Sequence, residues 1–101
     1  MWLVTMFDLP VTSKRHRRNY TRFRNRLLDY GFDRLQFSVY ARFCGSEARG
    51  TQIQRQIEAE MPTEGYIRFL MVTDRQFAKM SSFHKAILQD NEQKPAQILL
   101  F

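Results

Sequence analysis

One cysteine, four glycines, three prolines and no acidic residue between Asp8 and Asp29 are the scarcities of this chain. With Cys44 alone, no internal disulfide can form and no thiolate-rich zinc site can be built, so a reducing, cytoplasmic setting is expected. Phe43 and Gly45 flank that thiol and offer no basic partner that would mark a nucleophile. No apolar run approaches the roughly 20 residues that cross a bilayer, and no basic segment precedes an apolar helix at the N-terminus. A soluble, untargeted protein with no membrane partner is expected. P-loop, GxGxxG, HExxH and CxxC patterns are all missing, which leaves ATP, dinucleotide and zinc enzymology without support. His16 and His84 stand far apart and neither belongs to a ligand-spaced cluster.

Aromatic residues and positive charge are plentiful. Nine Phe, four Tyr and one Trp argue against a disordered basic tail. Sixteen Lys and Arg against ten Asp and Glu give a net charge of +6, which directs attention to phosphate backbones or an acidic surface. At 101 residues the chain is expected to be a single domain, 1–101, whose core is marginal unless a partner shares it.

Met1–Phe7 reads as a central strand, with Leu3, Thr5 and Phe7 on one face and Trp2, Val4 and Met6 on the other. Asp8 lies where the run ends, and Pro10 stops it. Thr12 or Ser13 can cap a helix running to about Tyr30, with Tyr20, Phe23, Leu27 and Tyr30 on its inner side and Gly31 ending it. Arg15, Arg18 and Arg22 fall nearly opposite that stripe, flanked by Lys14 and Arg26.

Phe32–Phe43 is a strand region in which Leu35, Phe37, Val39, Ala41 and Phe43 alternate with polar neighbours and Tyr40. It forms one bent strand or two short ones meeting near Gln36–Ser38. Ala48–Met61 is expected to be a helix with Ile53, Ile57 and Met61 at spacing four, Tyr66–Thr73 a strand, and Asp74–Met80 a short helix with Phe77 turned inward. Ser81–Lys94 is polar and without sustained periodicity except around Phe83–Leu88, and Ala96–Phe101 is apolar again. This order suggests an α/β fold, a ferredoxin-like βαββαβ sandwich with two helices on one sheet face. The apolar load of the other face, with the terminal AQILLF, favours a homodimer.

Asp8 alone directly follows a buried-looking strand, so it is the candidate metal and catalytic residue. One carboxylate is too few for a Mg²⁺ site in a monomer; two copies across a two-fold axis would supply a pair. The plainer reading has Asp8 capping the Pro10–Ser13 turn. Lys14, Arg15, Arg18, Arg22 and Arg26 are the candidate nucleic-acid contacts, a solvated basic face being the alternative. Ser38 and Tyr40 offer hydroxyls to phosphate or water, or are two ordinary polar positions on a strand. Aromatics that alternate into packed positions speak against base-reading by an open sheet face.

Five segments together resemble a known family: MFDLPV at Met6–Val11, RRNYTRFRNRLLDYGF at Arg17–Phe32, LQFSVYAR at Leu35–Arg42, VTDRQF at Val72–Phe77 and PAQILLF at Pro95–Phe101. The chain resembles the small CRISPR-associated endoribonucleases, the second member of the spacer-acquisition pair, and looks most like the type II branch. The resemblance implies ferredoxin-like subunits paired into a homodimer, with an additional C-terminal strand, 95–101, joining the partner's sheet. It also implies Asp8 as a metal-binding acid facing its symmetry mate, with Mg²⁺ or alternatively Mn²⁺. Some members act as endonucleases on RNA, single-stranded RNA included, or on double-stranded DNA. In spacer acquisition the dimer bridges two CRISPR integrase dimers. A very short N-terminus and a fairly long Ser81–Lys94 connector depart from the pattern. The alternative outside CRISPR biology is a ferredoxin-like RNA-binding module or toxin ribonuclease.

Overall fold

A strand in the middle of a sheet needs partners on both sides, and the first apolar run finds them. The computed structural model describes residues 1–85, along which seven elements follow one another. They are β1 (Trp2–Asp8), α1 (Lys14–Asp29), β2 (Asp33–Gln36), β3 (Val39–Phe43), α2 (Glu47–Glu58), β4 (Tyr66–Val72) and α3 (Asp74–Ala78). The sheet has the order β2-β3-β1-β4 with every neighbouring pair antiparallel. This is the ferredoxin-like βαββαβ arrangement, with α3 appended after β4. The 95–101 strand expected from the resemblance, and most of the 81–94 connector, lie outside the described residues.

Local chemistry sets the element ends. The Ser13 side chain accepts from the His16 backbone N–H at 3.1 Å and opens α1. Gly31, at φ +88°, lets the chain leave it. Ser46 caps α2 in the same way, and α3 begins with a reciprocal capping box between Thr73 and Gln76. α2 stops earlier than its spacing suggested. The Glu60 and Met61 N–H groups bond to carbonyls three residues back, tightening the last turn, and Pro62 follows. Met61 is thereby rotated off the Ile53–Ile57 stripe and left 37% exposed.

The Phe32–Phe43 region resolves into a hairpin, β2 and β3, joined at Phe37–Ser38 with Ser38 at φ +62°. A register irregularity between Arg34 and Gln36 inserts Leu35 as an extra residue. The simple alternation expected there therefore fails. Tyr40 belongs to the core at 3% exposure, whereas Phe37 is 67% exposed and Leu35 and Phe43 are also exposed in the single chain.

Strand pairing sorts the faces. Leu3 opposes Arg42 and Met71, Thr5 opposes Tyr40 and Phe69, and Phe7 opposes Ile67. This face packs on Phe23 and Leu27 of α1 and Ile53 and Ile57 of α2. Phe7 sits edge-on to Phe23, with centroids 5.1 Å apart. The other face carries Trp2, Val4 and Met6 opposite Phe43, Ala41 and Val39 on one side and Val72, Leu70 and Arg68 on the other. Phe77 of α3 turns onto it and stacks on Trp2 at 4.0 Å. A cavity of about 740 Å³ remains there, lined by Val4, Met6, Val39, Leu70, Met80 and Phe83 among others. Among the described residues no helix is long and apolar enough to cross a membrane.

Two substitutions test this packing. Leu27 is fully buried between α1 and the sheet, so Leu27→Ala should cost about 2–5 kcal/mol by leaving a cavity. Gly65 has φ +99°, and a Cβ there would meet the Asp8 carbonyl oxygen at 2.7 Å. Gly65→Ala should therefore destabilise by about 1–3 kcal/mol. Thermal melting should show both as clear losses in Tm; a wild-type Tm for Gly65→Ala would refute the close approach of these two turns.

Candidate nucleic-acid interface and the Asp8 cavity

α1 shows solvent a face with no carboxylate. Lys14, Arg17, Arg18, Thr21, Arg22, Asn25 and Arg26 line an open depression of about 540 Å³ along it. Four of the five basic residues singled out in the sequence, Lys14, Arg18, Arg22 and Arg26, thus share one surface. Arg17 was missed, although it sits one turn from both Lys14 and Thr21. Its guanidinium donates to the Val11 carbonyl at 3.2 Å.

Arg15 and Arg26 have protein partners. Arg15 reaches Glu64 Oε1 at 3.0 Å, and His16 Nε2 lies 3.0 Å from the same oxygen. With His16 donating from Nε2, its Nδ1 accepts from the Thr12 hydroxyl at 3.2 Å. The Glu64 carboxyl is held below its ordinary range, first by His16 and then by Arg15. Arg26 donates from Nε and Nη2 to the two oxygens of Glu60, at 2.6 and 2.9 Å, and Tyr30 adds its hydroxyl at 2.6 Å. These bonds, Arg26 first, pull the Glu60 carboxyl down to about 2, while the Arg26 guanidinium is raised by the same carboxylate. Tyr30 is pushed up, chiefly by its hydrogen bond to Glu60. The clamp ties the end of α1 to the segment after α2.

Asp8 is exposed at the end of β1, opposite Tyr66 and on the sheet face away from the helices. It lines a cavity of about 290 Å³ with Met6, Phe7, Phe37, Ser38, Val39, Tyr66 and Arg68. Ser38 is thus brought beside Asp8. Its hydroxyl pairs with the Tyr20 hydroxyl at 3.0 Å, and its carbonyl accepts from the Phe7 N–H at 3.1 Å. Tyr40 is not brought there. It opposes Thr5 on the helix-packed face, where burial raises its phenol pKa. Of the two capping candidates, Thr12 and Ser13, it is Ser13 that caps α1, and among the described residues the Asp8 side chain forms no hydrogen bond to the Pro10–Ser13 turn.

Arg68 is a second residue that sequence reasoning passed over. A single charge inside the otherwise apolar strand YIRFLMV was the available signal. Among the described residues no group of three or more His, Cys, Asp or Glu side chains gathers as a metal site. One carboxylate, a hydroxyl already bonded to Tyr20 and a guanidinium make a poor donor set for a divalent ion, so the cavity of one chain does not fit Mg²⁺.

Sheet order, helix placement and the basic α1 face define a small ferredoxin-like protein whose two sides differ, one cationic and one mainly apolar. Its overall shape is similar to Streptococcus pyogenes Cas2, seen in a crystal structure at pH 6.5. The TM-score is 0.63, with 18% identity over 82% of this chain and 99% of that one. The family described as CRISPR associated protein Cas2 matches residues 1–80. The relative called CRISPR-associated endoribonuclease Cas2 from Paracidovorax avenae is 46% identical over 101 residues, covering 100% of this chain and 94% of its own length. The protein of that name from Parvibaculum lavamentivorans is 39% identical over the full length of both. The chain belongs to the Cas2 family of CRISPR-associated proteins. The reading outside CRISPR biology is thereby set aside.

The Glu60 clamp carries a pH signature. Because the folded carboxyl titrates near 2 rather than at the ordinary 4.5, its stabilisation is present above 4.5 and is lost as pH falls toward about 2. Glu60→Gln should therefore melt below wild type near neutral pH, and the gap should narrow in that acidic window. Parallel melts that show a pH-independent gap would place the effect in packing instead.

Proposed function

We propose that this protein is an architectural subunit of CRISPR spacer acquisition, a homodimer that binds duplex DNA along α1 and bridges two dimers of the CRISPR integrase. The observation that carries the binding half is the basic face of α1. Lys14, Arg18 and Arg22 recur every four residues on it, with Arg17 and Arg26 at its margins. A spacing of about 6 Å per step along the helix axis lets one backbone run past several cations. The apolar sheet face, with Leu70, Phe43, Tyr66 and Phe83 exposed, supports a second copy as its cover, in keeping with the marginal core of one chain. The segment 95–101 adds a strand to the partner's sheet in this reading, on the strength of the resemblance. Single-stranded RNA is the second substrate to assay.

Duplex binding driven by these contacts should weaken steeply with salt, and Arg18→Ala or Arg22→Ala should each reduce the log–log slope by about 1. Arg15 and Arg26 also hold carboxylates, so their removal should lower Tm as well as affinity. Salt-indifferent binding, unchanged in an Arg18/Arg22→Ala variant, would overturn the assignment.

A second reading is favoured by the exposed position of Asp8 and by the relatives' name, endoribonuclease. Here Asp8 of two copies supplies the carboxylates for Mg²⁺ or Mn²⁺, and cleavage of RNA or DNA depends on them. Asp8→Asn should then abolish metal-dependent cleavage while largely sparing duplex binding. Wild type and variant would be assayed side by side with Mg²⁺, Mn²⁺ and excess chelator. Equal cleavage by both discards Asp8; cleavage by neither, with duplex and integrase binding intact, leaves the architectural role alone.

A further inference from the structure

The sheet face that carries Asp8 is mainly apolar: across β1, β3 and β4 its charged residues are Asp8 and Arg68, while the edge strand β2 adds Asp33 and Gln36 opposite Ala41 and Val39. Arg68 stands on β4 opposite Met6, and Asp8 on β1 opposite Tyr66. The two positions are diagonal neighbours on the same face, about 7–8 Å apart at Cα, and both line the 290 Å³ cavity. Among the described residues neither forms an ion pair within 4.0 Å. In the single chain this costs little, because both side chains are exposed to water.

A cover changes that. If a second copy lies on this face, each guanidinium and each carboxylate loses water and needs a partner, since an uncompensated buried charge is strongly unfavourable. A two-fold interface meets itself, so a contact from Arg68 to the other copy's Asp8 is made twice. At this end of the face two arginines and two aspartates then sum to zero without any added ion, Asp33 lying two strands away on β2. A divalent cation between the two carboxylates would instead sit beside two guanidiniums, against their repulsion.

We propose that Arg68 is the built-in counter-cation of Asp8. In the dimer the Arg68 guanidinium of one copy pairs with the Asp8 carboxylate of the other and opposes divalent-ion binding there. This rests on the dimer reading above and gives the poor metal fit of the cavity a cause. Arg68 acts as a positioning residue, setting how readily the carboxylate pair accepts a metal.

The test is a charge cycle on the full chain, using wild type, Arg68→Gln, Asp8→Asn, the double variant and Arg68→Lys. Sedimentation equilibrium would give dimer affinity, and Mn²⁺ titration followed by electron paramagnetic resonance would give metal affinity. Each Gln or Asn single variant should weaken the dimer in chelator by roughly tenfold to a hundredfold, because it strands the partner's charge. The double variant should recover much of that loss. Arg68→Gln should bind Mn²⁺ about tenfold more tightly than wild type, and Mn²⁺ should restore its dimer. Arg68→Lys, which keeps the charge, should bind Mn²⁺ much as wild type does.

A wild type that stays monomeric at micromolar concentration defeats the dimer reading, and the cross-subunit pair with it. A stable wild-type dimer whose affinity for itself and for Mn²⁺ is unchanged in Arg68→Gln overturns the Arg68 proposal alone. Equal Mn²⁺ gains in the Gln and Lys variants would also overturn it, since shape rather than charge would then be responsible. Far-ultraviolet circular dichroism melts confirm that every variant compared is folded.

Discussion

The register of β1 between β3 and β4 is the constraint from which the other features follow. With a side-chain period of two, Leu3, Thr5 and Phe7 are committed to the helices, and Trp2, Val4, Met6 and Asp8 to the opposite face. A slip of one residue would drive Asp8 into the packed core and expose Phe7. The Phe7 N–H to Ser38 carbonyl bond and the Gly65 approach to the Asp8 carbonyl hold the end of the strand from both sides. One register therefore decides the core, the place of the acid and the side on which its neighbours Ser38, Tyr66 and Arg68 gather.

The second organising feature is the division of labour among the α1 cations. Arg15 and Arg26 are drawn to Glu64 and Glu60, carboxylates from the stretch between α2 and β4. Lys14, Arg18 and Arg22 form no ion pair among the described residues. The clamped arginines tie the helix to the rest of the fold, and the others leave a uniform cationic strip. Both roles draw on the same excess of positive charge, and only the position of an acid about thirty or more residues away separates them.

Much of this was legible before the fold was known, for identifiable reasons. β1, α1, β4 and α3 declare themselves through apolar runs, the Tyr20–Phe23–Leu27–Tyr30 stripe and nearby caps, all local signals. The hairpin was only half legible. Alternation from Leu35 to Phe43 assumes an unbroken period, and the extra residue at Leu35 with the turn at Ser38 breaks it, so that Tyr40 rather than Phe37 enters the core. Met61 failed similarly, because a spacing of four is informative only while the helix lasts. The partners of Arg15 and Arg26, and the place of Arg68 beside Asp8, depend on which strands and loops lie side by side, and that is a tertiary fact. Asp8 was visible as a candidate because an acid at the end of an apolar strand is conspicuous in any register.

The first turn of α1 has a thermodynamic corollary. It holds no acidic residue, while Lys14, Arg15 and Arg17 crowd the positive end of the peptide dipoles. Cations there raise the free energy of the helical state relative to a frayed one, and Arg18 and Arg22 add like-charge repulsion along the same face. The free chain therefore carries an electrostatic stress in this helix. On the proposed reading a polyanion settling on that face would relieve the stress, linking its binding to the rigidity of α1. Amide hydrogens at the start of this helix should be the ones whose exchange slows most when a phosphate backbone arrives.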